Sequence, residues 1–181
     1  GALHYQKRFY QGTHSMNFSD AYSQKRRTGI KPGGTAWFLG GAGAMGQMHV
    51  ELAAVSENHA DKILVSDLDD RRLEHLRLHL NDRALKNRVQ CRFVNPGKIS
   101  PEEFDRLVRE FAPNGFDDIL LLVPSAKYAA EAASYLGKGG LMNVFAGIPS
   151  GDKGNISIRE IVDHNVRYTG ASGSGINDMI E

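Results

Sequence analysis

The chain has 181 residues, 41% hydrophobic and 24% charged, with a formal net charge of +1. That length suits one domain with a substantial core, and that balance gives no overall pull toward nucleic acid or membrane. No run of apolar residues is long enough to span a bilayer, the opening GALHYQKRFYQ lacks the apolar centre of a secretory signal, and the single cysteine, Cys91, has no partner for an internal disulfide or a cysteine-rich zinc site. A reduced, cytoplasmic setting is expected.

Charge is uneven. Residues 1–31 hold six Lys and Arg (Lys7, Arg8, Lys25, Arg26, Arg27, Lys31) against one acid, Asp20, so this head is +5 and the remainder −4. No nucleic-acid fold signature accompanies the basic, aromatic head, and it reads as a lead-in segment that packs on something outside this chain. GIKPGG (29–34) is a turn. Thr35 to Leu39 is a short buried strand, and Gly46 to Val55 a helix on which Met45, Met48, His49, Leu52 and Ala53 recur at helical spacing, a stripe expected to face the core. Lys62 to Ser66 is the second strand. Asp69 can cap a helix running toward Leu85, with Leu73, Leu76, Leu80 and Ala84 on one face.

VQCRFV (89–94) is a third strand. Ser100-Pro101-Glu102-Glu103 is a capping box that opens a helix to about Phe111. The almost wholly apolar 118–123 segment, DILLLV, suits a central parallel strand buried on both faces. Ser125 starts an alanine-rich helix that stops at Gly137 and Gly139-Gly140, LMNVFAG (141–147) is the next strand, and VRYTGAS (166–172) the last. Alternating strands and helices imply an α/β fold: a doubly wound parallel sheet in three layers, linked by right-handed crossovers.

The junction of the first strand and its helix carries the chemistry. Gly41, Gly43 and Gly46 fit G-x-G-x-x-G. The first glycine permits the tight turn, the second lets a diphosphate approach the backbone, and the third lets helix and strand pack closely. N–H groups around Ala44 and Met45 point at the ligand, and the helix dipole favours its negative charge. Asp67 ends the second strand 21 residues after Gly46, where a carboxylate accepts hydrogen bonds from an adenosine ribose. A carboxylate there favours NAD and repels the additional phosphate of NADP, while Arg71 and Arg72 just beyond partly offset that preference, so NADP stays possible.

Gly41-Ala42-Gly43-Ala44-Met45-Gly46 resembles the coenzyme loop of the medium-chain, zinc-type alcohol dehydrogenases. VSDLDDRRL is similar to their second strand and its turn, GFDDILLLVPSAKYAAEAASYLGKGGLMNVFAG to their fourth strand, helix and fifth strand, and HNVRYTGASGSG to their last strand and loop. The polyol and sugar branch (sorbitol, threonine and sugar-phosphate dehydrogenases) is the most similar, over about residues 28–181. The resemblance implies a dinucleotide-binding (Rossmann) domain in which Ala44 and Met45 hold the diphosphate, Asp67 the adenine ribose, and Arg72 lies beside the adenine. Val123, Pro124 and Ser125 would lie near the nicotinamide ribose, and Phe145, Ala146 and Gly147 would approach the nicotinamide, with Ala171 and Ser172 beyond. The family often has a small residue and glycine where Pro124-Ser125 stand. These enzymes hold catalytic zinc in a separate domain, on a cysteine and a Gly-His-Glu segment, and neither that segment nor a suitably placed cysteine occurs here. The resemblance therefore implies zinc only outside this chain, no catalytic residue within it, and residues 1–27 as the tail of the catalytic part or an appended sequence. It further implies a small-molecule substrate (a polyol, sugar or sugar phosphate), no nucleic-acid or membrane partner, and a homo-oligomer, dimer or tetramer, in which VRYTGAS is an edge strand paired across a twofold axis.

Other readings compete. His75 and His79, spaced i, i+4, could share a metal, but they lie off the leucine face and read as solvated; His49 reads as partly buried and inert, and His59 and His164 as loop residues. Tyr135 and Lys138 are three apart where a short-chain reductase needs four, and no phosphate-loop or hydrolase-elbow motif exists. An S-adenosylmethionine-dependent methyltransferase shares the glycine turn, the acid after the second strand and a late Gly-Gly, although G-x-G-x-x-G suits a diphosphate better. A non-catalytic domain that senses NAD(H) is the third reading.

Overall fold

The computed structural model describes residues 9–10, 16–17, 27 and 29–170. Seven strands form one sheet: β1 (Phe9–Tyr10), β2 (Thr35–Leu39), β3 (Lys62–Ser66), β4 (Gln90–Val94), β5 (Phe116–Leu121), β6 (Leu136–Val144) and β7 (Arg167–Gly170), in the spatial order β1-β7-β6-β5-β2-β3-β4. All pairings are parallel except β1 with β7. The helices are α1 (Ala44–Val55), α2 (Asp70–Lys86), α3 (Pro101–Phe111), α4 (Ala126–Ala133) and α5 (Ile158–Asp163). This is the expected doubly wound architecture, with α1 and α2 on one face and α3, α4 and α5 on the other. No helix among the described residues is long and apolar enough to cross a membrane.

The strand period of two divides the apolar residues between two cores. On β2, Ala36 and Phe38 join Val50 and Ala54 of α1 and the Leu73, Leu76, Leu80 and Ala84 face of α2. Trp37, between them, points the other way and is 2% exposed. Its ring meets those of Phe116 at 5.5 Å, Tyr135 at 5.6 Å and Phe104 at 5.9 Å, while its indole N–H donates to Ser66 Oγ at 2.9 Å. One side chain thus ties β2 to α3, β5 and β3, and its polar atom is satisfied, as burial of an indole requires.

Four local outcomes differ from the sequence reading. On α1 the buried residues are Gly46, Val50, Ala53 and Ala54, whereas Met45, Met48 and Leu52 are 44%, 53% and 60% exposed. Small residues face the sheet because the glycine loop brings α1 too close for long ones, so the methionine and leucine stripe turns outward. Secondly, α4 ends at Ala133 and β6 begins at Leu136, before the glycines. Phe116 pairs with Leu136 and Asp118 with Leu141, so Gly137–Gly140 form an insert within the strand, with Gly139 at a φ of +75° that glycine alone adopts freely.

Thirdly, β7 is not an edge strand: Phe9 and Tyr10 occupy its outer side, opposite Thr169 and Tyr168. Those two residues of the lead-in therefore pair within this chain. The lead-in is fixed again at Arg27, which forms an ion pair with the buried Asp118 and donates to the Asp117 carbonyl at 2.9 Å. Asp118 also accepts from the Lys31 backbone at 2.9 Å, and Asp117 accepts from Lys31 Nζ at 2.6 Å and the Thr35 N–H at 2.9 Å. Burial raises the Asp118 carboxyl above its ordinary range, and Arg27 opposes that rise. Finally, α5 had no counterpart in the sequence reading, although Ser157 and Glu160 carry the capping-box spacing and Ser157 Oγ accepts from the Glu160 N–H at 3.3 Å.

Replacing Trp37 with alanine is expected to lower the unfolding free energy by about 3–5 kcal/mol, the usual cost of emptying a large aromatic site. Urea unfolding followed by far-ultraviolet circular dichroism measures it.

Candidate functional site: the cleft above the β2–β5 switch

Chain direction reverses between β2 and β5: after β2 the chain moves toward β3, after β5 toward β6. Two loops therefore part at the carboxyl ends of these neighbouring strands, and an open α/β sheet binds ligands in the crevice between them. One is Gly40–Gly43; the other runs from Leu122 to Ser125. They meet where a Cβ on Gly40 would lie 2.6 Å from Val123 Cγ1.

The glycine loop is fixed from below. Gly40 and Gly41 N–H groups donate to the Ser66 carbonyl at 2.8 and 3.3 Å, and Gln47 Nε2 donates to the Ala42 carbonyl at 2.8 Å. A Cβ on Gly46 would fall 2.4 Å from the Gly41 carbonyl oxygen, and one on Gly41 would fall 2.7 Å from Phe38 Cβ. Both positions are bare because the chain packs against itself. Gly43 differs: its added Cβ would meet only the Gly40 carbonyl oxygen at 3.7 Å, and its φ of −68° and ψ of 168° suit any residue. Nothing within the described chain requires glycine there, and that backbone faces outward.

The next residues open α1 without a cap. Asp69, Ser100, Ser125 and Ser157 each cap the helix they precede by accepting backbone N–H bonds, whereas Gly43 offers α1 no side chain and its first turn holds no acid. The first-turn N–H groups, those of Ala44 and Met45 among them, have no intrahelical acceptor. Together with the helix dipole they form a cradle for an anion.

Asp67 flanks this cradle. Its Oδ2 accepts from the Ala42 N–H at 3.1 Å and its Oδ1 from the Asp69 N–H at 3.1 Å, so the carboxylate bends toward the glycine loop. Arg72 is exposed beside it, 3.5 Å from Asp69. Across the cleft Ser125 caps α4 through the Tyr128 N–H at 3.4 Å, and Asp152, from the loop after β6, accepts the Ala126 N–H at 2.8 Å. Phe145 and Ala146 donate to the Leu121 carbonyl at 3.1 and 3.0 Å, which brings Phe145–Gly147 alongside Val123–Ser125. Gly41, Gly43, Ala44, Met45, Gly46 and Asp67 thus lie at the carboxyl ends of β2 and β3, Val123, Pro124, Ser125, Phe145, Ala146 and Gly147 at those of β5 and β6, Arg72 is in the first turn of α2, and Ala171 and Ser172 lie outside the described residues.

One residue here escaped the sequence reading, and His49 is partly buried as expected. Asp152 carries no motif, since its partner lies 26 residues away. His49 lies edge-on to Phe145 with ring centroids 4.9 Å apart, and burial holds its imidazole below the ordinary histidine range, hence neutral at pH 7. Other candidates lose ground. His75 and His79 are exposed, with rings 4.6 Å apart, and no group of three metal-binding side chains occurs among the described residues. Tyr135 donates to Asp105 at 2.7 Å, and burial first, then that carboxylate, pushes its phenol up to about 12. Burial likewise pushes the Cys91 thiol up to about 11.

No family model matches the chain. Among solved structures it superposes on a protein of Sinorhizobium meliloti 1021, described as a zinc-binding dehydrogenase and bound to NADP, with a TM-score of 0.61 and 21% identity over 80% of this chain and 38% of that one. It superposes on 2R,3R-butanediol dehydrogenase of Bacillus subtilis with a TM-score of 0.63 and 17% identity, covering 83% and 39%. The chain has the fold of the nucleotide-binding domain of zinc-type alcohol dehydrogenases. L-sorbose 1-phosphate reductase of Klebsiella pneumoniae is 28% identical over 153 residues, covering 83% of this chain and 36% of the relative, and mannitol-1-phosphate 5-dehydrogenase of Aliivibrio fischeri is 26% identical over 175 residues, covering 93% and 40%. The chain thus spans about two fifths of the curated relatives it matches.

The two glycines divide the domain's requirements. Gly46→Ala is expected to cost about 1–3 kcal/mol, because neither contacting backbone can yield, whereas Gly43→Ala is expected to stay within about 1 kcal/mol of the parent chain. Thermal and urea melts of the two variants give the comparison.

Proposed function

We propose that this chain is the nicotinamide-dinucleotide-binding domain of a zinc-type medium-chain dehydrogenase that interconverts a secondary alcohol and a ketone on a polyol, sugar or sugar phosphate. The observation that carries this is Gly43: a bare backbone that the fold itself does not demand, at the mouth of the one α-helix among those described with no side-chain cap. A diphosphate requires that bareness, because a Cβ would hold it off the N–H groups. The substrate class rests on the two sugar-phosphate enzymes among the relatives.

In this reading the Ala44 and Met45 N–H groups hold the diphosphate, Asp67 receives the adenosine ribose hydroxyls, and Arg72 borders the adenine. Val123–Ser125 and Phe145–Gly147 direct the nicotinamide half across the cleft. A bound nicotinamide supplies hydride chemistry, and the contribution of this domain is to fix its orientation toward the substrate carbon. Zinc belongs to the part of the enzyme beyond this chain. The Asp67 carboxylate makes NAD(H) the preferred form, since a 2′-phosphate would meet a negative charge there.

Calorimetric titration of the chain with NADH and then NADPH tests the proposal. NADH is expected to bind more tightly than NADPH. Asp67→Ala should weaken NADH about tenfold or more, the loss of charged hydrogen bonds worth about 1.5–3 kcal/mol. Gly43→Ala should do the same in a folded protein. Binding of S-adenosylmethionine with no response to NADH would reject the dehydrogenase reading.

A further inference from the structure

The loop after β6 is attached to the first turn of α4 by a contact that no sequence motif announces. Asp152 Oδ2 accepts the Ala126 N–H at 2.8 Å, adding an anionic acceptor to a helix end already capped by Ser125. Two residues on, Gly154 lies so close to α4 that a Cβ would fall 2.2 Å from the Ala126 carbonyl oxygen and 3.2 Å from Ala130 Cβ. The loop is thus held at two points, one electrostatic and one steric. It begins with Phe145–Gly147, and its attachment point adjoins Ser125. The residues proposed to border the nicotinamide therefore belong to two loops, joined at their start by the Leu121 carbonyl and farther on by Asp152 and Gly154.

We propose that Asp152 is a positioning residue that latches the loop after β6 onto α4 and so shapes the nicotinamide half of the cleft, leaving the glycine-loop half independent of it. This rests on the dinucleotide reading above. The two halves have separate supports: the glycine loop is held by Ser66 and Gln47, and Asp67 by the Ala42 and Asp69 N–H groups, and none of these hydrogen bonds involves Asp152 or Gly154. Loss of the latch should accordingly be felt by a ligand that reaches α4 and not by one that ends at the diphosphate. The carboxylate also fills the N-terminus of α4, so the anion cradle of α1 has no competitor across the cleft.

The test compares NADH with ADP, which reaches only the glycine loop and Asp67. In Asp152→Ala the NADH dissociation constant is expected to rise about tenfold while that of ADP stays within about twofold. Exchange of the Ala126 amide should quicken. Asp152→Asn, whose amide oxygen still accepts a hydrogen bond, should recover most of the NADH affinity. Gly154→Ala attacks the same latch sterically and should reproduce the selective loss, which keeps the test decisive if Asp152→Ala does not fold. Equal weakening of NADH and ADP, or no change in either, would overturn the latch alone. A parent chain that binds neither would overturn the dinucleotide reading and with it the role given to Asp152.

Discussion

The approach of Gly46 to the Gly41 carbonyl is the constraint on which the rest of the domain depends. A gap that would leave a Cβ 2.4 Å from that oxygen lets α1 start directly above the end of β2. Only small residues then fit between helix and sheet, so Val50, Ala53 and Ala54 form the contact and the longer Met48 and Leu52 are turned away. The same close seating aims the uncapped first turn of α1 at the cleft. Close helix packing and an uncapped first turn at the strand ends are two consequences of one backbone contact.

Around that contact the domain separates stability from recognition. Trp37, Ser66 and the aromatic rings of Phe104, Phe116 and Tyr135 lie on the opposite face of the sheet from α1, and their interactions are complete without a ligand. The groups at the cleft have directional capacity to spare: first-turn N–H groups and the carboxylate of Asp67.

The lead-in shows how a segment of unlike composition becomes part of a domain. Asp118 sits on a central strand at 6% exposure, where an unpaired carboxylate would be costly. Arg27 and the Lys31 N–H compensate it, and Phe9–Tyr10 close the ladder of β7. Arg27 and Lys31 thus pair with the two acids at the start of β5, and the outer edge of β7 is covered by the chain's own residues at Tyr168 and Thr169.

Much of this was readable from residues in order. Periodicity located β2, β3 and α2 because local spacing alone decides which residues share a face, and Ser100 and Asp69 marked helix starts because a cap acts within three residues. The glycine spacing located the turn between β2 and α1 for the same reason: strand, turn and helix are contiguous. What tertiary structure decided involves partners distant in sequence. The outward turn of Met48 and Leu52 depends on how closely α1 meets the sheet, the strand insert at Gly137–Gly140 on pairing with β5, the pairing of β1 on where β7 lies, and the Asp152 contact on the folding of one loop across another. Sequence encodes the distances along the chain; only the folded sheet sets the distances across it, and the cleft is assembled from both.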